Sequence, residues 1–362
     1  MLLDDAQFAE RLRRHRRFWG PKYAGEGAYI SINAPRDDRV AAPPPRDLHQ
    51  QWLDVDYRVQ VIENALEGTW FGLDAVPVAM LDFGPGMLPA LLGRPYELRE
   101  QTIWYDQWPS ADPESVFALQ IRRDTEFYQA YRQLTQTLLE RACGRYLVAL
   151  ADFGGSLDSL ASLYERGALL EDILFEPERV SRQLAWLAGL LDELRRENLA
   201  QLRRYQDYIP AELPLVNDQD WFPVFSELSV MLSPQCFEQV SLPALTLESA
   251  ALPRVFYGMD GDTYLRLLPC VLQVPRLHSI IWGPTHRLDS QGRKVIDYNQ
   301  PHIYEFYQQA LERIKVVIPD LSPEQAIRLM DNIPQDGVFL FVDCTSEDEA
   351  KSFAEHARSW VR

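Results

Sequence analysis

The chain has 362 residues, 46% of them hydrophobic and 25% charged, so we expect a folded protein with a large buried core. Acidic residues outnumber basic ones by 53 to 36, and the net charge of −17 disfavours binding to nucleic acid or to an anionic membrane surface. No signal peptide and no apolar run of membrane-spanning length occurs. Four scattered cysteines without a CxxC pair are typical of reduced thiols. We therefore expect a cytoplasmic protein.

Residues 1–28 form the first predicted element, a helical extension ahead of the main fold. Five arginines lie between Arg11 and Arg17, a density that is also found in targeting segments and RNA-binding patches. Asp4, Asp5 and Glu10 precede them and supply opposite charge. We interpret the arginines as the solvated face of a helix.

Short apolar runs then alternate with longer helical segments along almost the whole chain. Eight runs have the composition of buried strands: residues 29–35, 75–82, 146–153, 221–227, 254–260, 278–284, 315–320 and 338–343. Several are almost entirely apolar, as expected for a parallel sheet that is covered on both faces. Residues 210–220, rich in Pro and Asp, are predicted to be a loop.

Helical periodicity is clearest in residues 179–206, where leucines recur at helical spacing. Later helices are predicted over 302–313, 322–332 and 346–361, the last two starting at capping boxes led by Ser322 and Ser346. Strand–helix alternation repeated about eight times predicts an α/β protein with a (β/α)8 TIM barrel. No glycine-rich dinucleotide fingerprint follows an early strand, which disfavours an open doubly wound sheet. We expect one domain over residues 1–362, because neither a sequence repeat nor a linker occurs.

A TIM barrel carries its chemistry at the carboxyl ends of its strands. Polar residues follow most of the predicted strands there, and the most prominent are Arg36, Asp82, Asp152, Ser226, Glu227, Asp260, Trp282, His286, Asp320, Asp343 and Cys344. Aspartate is also common in turns and helix caps, which is the expected role of Asp320 and Asp343. Glycine-rich loops follow Asp82 and Asp152, and their backbone N–H groups are candidate anion ligands.

Four segments together resemble the uroporphyrinogen decarboxylase-like superfamily. They are FSELSVMLSPQCFEQVSLP at 225–243, the stretch 255–284, DAVPVAMLDFGPGMLPALLG at 74–93, and residues 152–180. The resemblance extends to the C-terminal region and implies a TIM barrel. The superfamily contains uroporphyrinogen decarboxylases and methylcobamide-dependent methyltransferases.

Compared with the decarboxylases, the chain keeps a counterpart of the essential aspartate, Asp82, and has Tyr164 at or next to the active-site tyrosine. The family's Arg-Gln-Ala-Gly-Arg-Tyr motif is replaced by residues 33–38, which carry Arg36 beside two aspartates. Cys344 stands where the family has a late histidine. A substrate with many carboxylates needs several cations, so authentic uroporphyrinogen decarboxylation is not expected.

Compared with the methyltransferases, the chain lacks the His-x-Cys zinc ligands, because Gly258, Met259 and Asp260 occupy those positions. Cys344 matches the third zinc ligand. A mixed site of Asp260 and Cys344 would offer too few ligands to hold zinc securely. We therefore expect no bound metal and no tightly bound cofactor, with a corrinoid entering only as a co-substrate.

The leading interpretation is a corrinoid-linked methyltransferase-type enzyme that acts on a small molecule in the barrel mouth. Its expected catalytic residues are Asp82, Glu227, Asp260 and Cys344. Its expected substrate-binding residues are Arg36, Tyr164, Ser226, Tyr257, Trp282 and His286. The alternatives are a decarboxylase of a tetrapyrrole or another carboxylic acid, and a non-catalytic module that binds a corrinoid or a partner. A corrinoid protein and a second copy of the chain are the candidate protein partners.

Overall fold

The computed structural model describes residues 2–105, 112–285, 287–288, 294–298 and 300–361, and the structural statements below concern these residues. The strands are β1 (Tyr29–Pro35), β2 (Thr69–Leu73), β3 (Val78–Ala79), β4 (Glu97–Leu98), β5 (Ile103–Trp104), β6 (Leu147–Val148), β7 (Ile209–Ala211), β8 (Leu213–Asn217), β9 (Pro223–Val224), β10 (Val255–Asp260), β11 (Leu277–Gly283), β12 (Arg287–Leu288), β13 (Lys294–Val295), β14 (Lys315–Leu321) and β15 (Val338–Asp343). The α-helices are α1 (Asp5–Phe18), α2 (Leu48–Leu53), α3 (Val55–Glu67), α4 (Leu88–Leu91), α5 (Glu126–Ala142), α6 (Ser156–Leu163), α7 (Arg166–Phe175), α8 (Pro177–Leu202), α9 (Pro234–Cys236), α10 (Leu242–Glu248), α11 (Leu268–Val271), α12 (Pro301–Leu311), α13 (Pro323–Met330) and α14 (Glu347–Ala357).

The main sheet has the strand order β2-β1-β15-β14-β11-β10-β9 in the described residues. From β1 through β15, β14, β11 and β10 to β9, all neighbouring strands are parallel. Strand β2 is antiparallel to β1 and lies on its other side. The predicted α/β class with a large parallel sheet is therefore confirmed.

Hydrogen bonding does not close this sheet into a ring within the described residues. Strands β3 and β6 form a separate parallel pair of two residues each, and a single bridge joins Leu150 to Ala211. Strand β2 occupies the edge of β1 where the next strand of a barrel would pair. The structure thus establishes the parallel sheet, whereas the closed barrel stays a prediction.

Most predicted strands exist, but their lengths differ. Strands β1 and β15 have the predicted bounds, whereas β3, β6 and β9 each contain two residues. The predicted loop at residues 210–220 was wrong, because β7 and β8 form an antiparallel hairpin there. The long helix α8 and the capping box of Ser322 before α13 are confirmed.

Side chains of the parallel strands alternate between two buried layers, as strand geometry requires. The inner layer includes Tyr29, Phe256, Val317, Phe339 and Phe341. The outer layer packs on the helices α12, α13 and α14 and includes Ile30, Tyr257, Trp282, Ile318 and Leu340. Both layers are apolar, which explains why these strands have no polar alternation in the sequence.

Helix α1 closes the amino ends of the parallel strands. Phe18 packs edge-on against Tyr29 and Phe339 of the inner layer, with ring centroids 5.4 and 5.2 Å apart. The ring of His15 is fully buried, and its Nδ1 accepts a hydrogen bond from the Val216 N–H at 3.1 Å. Burial lowers the pKa of His15 to about 4, so the ring stays neutral in this interface.

The arginines of α1 are not all solvated, so the predicted solvated face is correct only in part. Arg14 forms an ion pair with the buried carboxylate of Asp74. Arg11 donates hydrogen bonds to the carbonyl groups of Ala75 and Phe71. These contacts fix the helix to the residues that precede β3. None of the described helices is both long enough and apolar enough to cross a bilayer.

Candidate active site

Four carboxylates meet at the carboxyl ends of β3, β6, β9 and β10, and we call this group the acidic mouth. Its members are Asp82, Asp152, Glu227 and Asp260. Burial raises the pKa of Glu227, and the nearby charges of Asp260 and Asp152 raise it further. Burial also raises the pKa of Asp152, with a smaller contribution from Asp82. Each carboxylate therefore feels the field of at least one other.

The glycine loops after β3 and β6 hold two of these carboxylates. Asp82 accepts a hydrogen bond from the N–H of Gly84 at 2.9 Å, and Asp152 accepts from Gly86 at 2.9 Å and Gly154 at 2.6 Å. The loops touch through their backbones, because a Cβ on Gly154 would lie 2.9 Å from the Cα of Gly86. Their N–H groups therefore bind the protein's own carboxylates, and the predicted anion-binding role is not supported.

The turn that carries Glu227 is fixed by Asp158 of α6. The Asp158 carboxylate accepts hydrogen bonds from the backbone N–H groups of Glu227 and Leu228, at 2.9 and 2.8 Å. Burial raises the pKa of Asp158 to about 7. Before this turn, Phe225 lies so close to β10 that a Cβ on Gly258 would be 1.7 Å from its ring. Gly258 therefore leaves room for Phe225 beside the acidic mouth.

Glu212 is a fifth carboxyl group that sequence reasoning missed. It lies between β7 and β8 with φ of 56°, a left-handed conformation that is strained for a residue with a Cβ. Its N–H donates to the carbonyl of Leu150 at 3.3 Å. Burial raises the pKa of Glu212 well above its ordinary value, with a further contribution from Asp152 that Arg195 opposes. Perturbed carboxyl groups of this kind are concentrated at functional sites.

Two arginines lie at the edges of the acidic mouth. Arg195 of α8 is buried, lies 3.6 Å from Glu248, and donates to the carbonyl of Gly154 at 2.8 Å. Arg58 of α3 donates to the carbonyl of Asp82, and burial lowers its pKa to about 10. Both arginines donate hydrogen bonds to backbone carbonyl groups of the loops. They therefore stabilise the loops and also offset part of the negative charge of the acidic mouth.

Tyr105 is a further residue that the sequence did not single out. Its hydroxyl donates a hydrogen bond to the carbonyl of Phe83. Burial raises its pKa, and the charges of Asp152 and Asp82 raise it further. The phenol thus stays protonated next to two carboxylates. Its only sequence signal is its place at the end of the short aromatic run 102–105.

Three of the expected substrate-binding residues are buried in packing contacts. Trp282 is in the outer layer, with its ring 4.3 Å from that of Phe306 in α12. Tyr257 is in the same layer and is fully buried. Ser226 is also buried, where its hydroxyl contacts that of Ser229 at 2.5 Å. The expected apolar wall of Tyr257 and Trp282 is therefore not formed by these residues.

The other expected substrate-binding residues have local partners or cannot be placed. Tyr164 is buried and its hydroxyl accepts from Gln183 of α8 at 2.7 Å. Arg36 forms an ion pair with Asp38 at 3.1 Å, which offsets its charge. His286 lies outside the described residues.

Cys344 lines a separate cavity of about 550 Å³ at the carboxyl ends of β1 and β15. Small apolar side chains form much of its wall, together with Asn33, Asn64, Thr69 and Asp343. This volume is in the range of small-molecule pockets. Burial raises the pKa of Cys344 to about 12, with additional contributions from Glu349 and Asp343, so its sulfur is a thiol at neutral pH.

The donor groups do not fit the zinc site of the methyltransferase branch. Cys344 follows β15 whereas Asp260 ends β10, and these strands are three positions apart in the sheet, roughly 14 Å at the usual strand spacing. Among the described residues, no three His, Cys, Asp or Glu side chains are grouped to hold a metal ion.

Of the comparisons with known proteins, the comparison of structures finds similar chains. No protein-family model and no curated protein matches the chain. Among solved structures, the fold is similar to that of a methyltransferase from Methanosarcina mazei, with a TM-score of 0.60 and 11% sequence identity. The alignment covers 96% of this chain and 98% of the methyltransferase. The two chains therefore share a fold over almost their whole lengths.

Proposed function

We propose that the chain is a methyltransferase-type enzyme whose small-molecule substrate binds in the acidic mouth. The observation that carries the proposal is the meeting of Asp82, Asp152, Glu227 and Asp260 at the carboxyl ends of the strands, where α/β enzymes carry their chemistry. A fold shared with a methyltransferase over almost the whole chain supports this choice of reaction class.

Electrostatics limits the substrate that we propose. Four carboxylates in one mouth repel anionic molecules and favour neutral or cationic ones. Within the described residues, the side chains of Glu227 and Asp260 have no hydrogen-bond or ion-pair partner, so both are free to contact a substrate. Carboxylates in such a position orient a bound molecule and exchange protons with it.

We propose that a corrinoid is the co-substrate, which either accepts the methyl group or donates it. The superfamily resemblance of the sequence suggests it, and the cavity next to Cys344 offers additional space at the same end of the sheet. No step is assigned to zinc, because the donor groups do not fit that metal. A corrinoid protein and a homodimer stay predictions.

We also propose that the parallel strands form a closed TIM barrel in the order β1, β3, β6, β9, β10, β11, β14 and β15. Pairing of the last strand with the first supports a ring, because an open sheet built in chain order would leave these strands at opposite edges. The bridge from Leu150 to Ala211 extends the β3–β6 pair toward the segment that precedes β9.

A tetrapyrrole decarboxylase receives less support from the site. Such a substrate brings several carboxylates into a mouth that already holds four. Arg36, the remaining counterpart of the decarboxylase arginines, forms an ion pair with Asp38. The cations at the mouth, Arg58 and Arg195, are hydrogen-bonded to backbone carbonyl groups.

The proposal is tested by following the cobalt–carbon absorption band of methylcobalamin while purified protein and candidate acceptors are added. Loss of the band that depends on both protein and acceptor supports methyl transfer. Glu227→Gln should slow this reaction, whereas Glu178→Gln, an exposed change on α8, should not. Turnover of a carboxylic acid with release of carbon dioxide, and no effect on methylcobalamin, would instead establish the decarboxylase.

A further inference from the structure

Glu212 is the carboxyl group of the site with a left-handed backbone conformation, and backbone hydrogen bonds to β6 hold its segment. Its φ of 56° is sterically unfavourable for a non-glycine residue and persists only where the surroundings enforce it. The surroundings here are β6 and its extension. Leu150 donates its N–H to the carbonyl of Pro210 at 2.8 Å and accepts from the N–H of Glu212 at 3.3 Å. These two hydrogen bonds pair Leu150 with Ala211, which puts the backbone of Glu212 level with Ala151, one residue before Asp152.

The two neighbouring carboxyl groups have different environments. Asp152 accepts hydrogen bonds from two backbone N–H groups, those of Gly86 and Gly154, which stabilise its charged form. Glu212 has no side-chain hydrogen bond or ion pair within the described part of the chain. When two adjacent carboxyl groups compete for one charge, the group with the N–H donors keeps the charge and the other keeps the proton.

The two charged groups that act on Glu212, Asp152 and Arg195, agree with this assignment. Asp152 at the end of β6 adds negative charge, and Asp82 lies behind it at the end of β3. Arg195 of α8 is the opposing cation, but it is shared with Glu248 of α10 and the carbonyl of Gly154. Burial and Asp152 together raise the pKa of Glu212 well above its ordinary value despite this arginine.

We propose that Glu212 is the proton donor of the acidic mouth and protonates the group that releases the methyl group, while Asp152 stays ionised beside it. The transfer step rests on the methyltransferase function proposed above. The acceptor's electron pair forms the new bond to the methyl carbon, and the bond from that carbon to the leaving atom breaks with its electrons on the leaving atom. The leaving atom then takes the proton of Glu212, which becomes a carboxylate.

This role predicts which methyl donors depend on Glu212. An ether oxygen leaves as an alkoxide or phenoxide and needs a proton, so its transfer requires an acid. A quaternary ammonium group leaves as a neutral amine and needs none. The same variant should therefore affect the two donor classes differently, which a purely structural role would not produce.

The proton itself is tested by infrared spectroscopy of the full chain, with the glutamate carboxyl groups labelled with ¹³C to separate them from aspartate. We expect a protonated-glutamate carbonyl band at about pH 7 that Glu212→Gln removes and Glu178→Gln leaves. Asp152→Asn should lower the midpoint at which the band disappears. Gln mimics the protonated glutamate in size and charge, so the variant is expected to fold. An unchanged band in Glu212→Gln would overturn the proposal.

The transfer step is tested with anisole and tetramethylammonium as donors and a reduced corrinoid as acceptor. Glu212→Gln should slow demethylation of anisole by about 10²–10⁴-fold, a usual contribution of a general acid, and change the rate with tetramethylammonium by less than about 10-fold. Equal losses with both donors would overturn the role of Glu212. If neither donor reacts with the parent protein, the proposed function fails, and the infrared band alone decides whether Glu212 holds a proton.

Discussion

Buried charges at the amino ends of the parallel strands lie in ion pairs, whereas the four carboxylates of the acidic mouth have no ion-pair partner within the described residues. At the amino ends, Lys315 and Glu26 are both buried and lie 2.8 Å apart, and Arg14 pairs with Asp74. At the carboxyl ends, Glu227 and Asp260 have no partner within the described residues. A buried charge needs a partner, whereas Glu227 and Asp260 are exposed and can remain unpaired in water, where a ligand can reach them. We therefore expect a structural role for the paired charges at the amino ends, and the proposed chemistry uses the carboxylates at the other end.

The largest expected effect is at the amino ends. Lys315→Met leaves the buried carboxylate of Glu26 without its partner and should lower the free energy of unfolding by about 3–5 kcal/mol. Urea unfolding measures this loss. The double variant with Glu26→Gln should recover much of it, because both charges are then removed.

The matched control for this change is Lys351→Met, which breaks an ion pair between the exposed Lys351 and Glu347 of α14. Exposed pairs contribute little, so a change within about 0.5 kcal/mol is expected. A loss below about 1 kcal/mol in Lys315→Met would show that the buried pair is not what secures the amino ends.

The next effect, at the carboxyl ends, concerns rate instead of stability. Glu227→Gln should reduce methyl transfer by about 10²–10⁴-fold without lowering the free energy of unfolding. Because the folded pKa of Glu227 is raised, its contribution to stability is lost as pH rises through that pKa, and Gln removes this loss. Parallel rate and urea-unfolding measurements test both parts. A destabilised variant with normal turnover would reverse the comparison between the two ends.

A smaller effect should reveal how Asp158 fixes the Glu227 turn. The pKa of Asp158 is raised to about 7 in the folded chain. Its contribution to the free energy of unfolding is therefore fully present below about pH 4 and is lost as pH rises toward about 7. The parent should therefore lose stability over this interval, and Asp158→Asn should lose less. Asp348→Asn, an exposed change on α14, is the control. Equal slopes in urea unfolding at several pH values would contradict the assignment.

The smallest effect is expected at Cys344. A buried thiol that binds no metal acts as a small apolar group, so Cys344→Ala should cost about 1 kcal/mol or less. Metal content and methyl transfer should not change. Thermal unfolding and metal analysis of the variant, with Cys270→Ala as a buried-cysteine control, check this expectation. A zinc content that falls with Cys344→Ala would restore the thiol to the list of ligands.

Strand positions were predictable from the sequence where apolar residues formed a continuous run. Strands β1 and β15 match their predicted bounds because buried parallel strands need apolar side chains on both faces. Because both faces of these strands are apolar, the sequence does not indicate which side chains point to the inner layer and which to the outer layer. Phe256 lies in the inner layer and Tyr257 in the outer layer, and Asp260 has the same parity along β10 as Phe256.

The candidate site was predictable to a similar extent. Asp82, Glu227 and Asp260 were expected from their places after strands, and the effects of these charges on the pKa values of Asp152 and Glu227 indicate that the carboxylates lie near one another. Glu212 had no signal, because glutamate gives no indication of a left-handed conformation and its segment has the composition of a loop. Cys344 was expected in the same mouth, but the sheet order separates it from Asp260.

The α/β class, the main parallel strands, the long helix α8 and the acidic residues after the strands follow from the amino-acid sequence alone, because apolar periodicity and capping residues act locally. Packing in three dimensions sets which of those acids meet, which aromatic rings face the helices, and that Glu212 lies beside Asp152. These outcomes depend on strand order and on the face that each side chain takes, and both are set by packing between segments far apart in the chain.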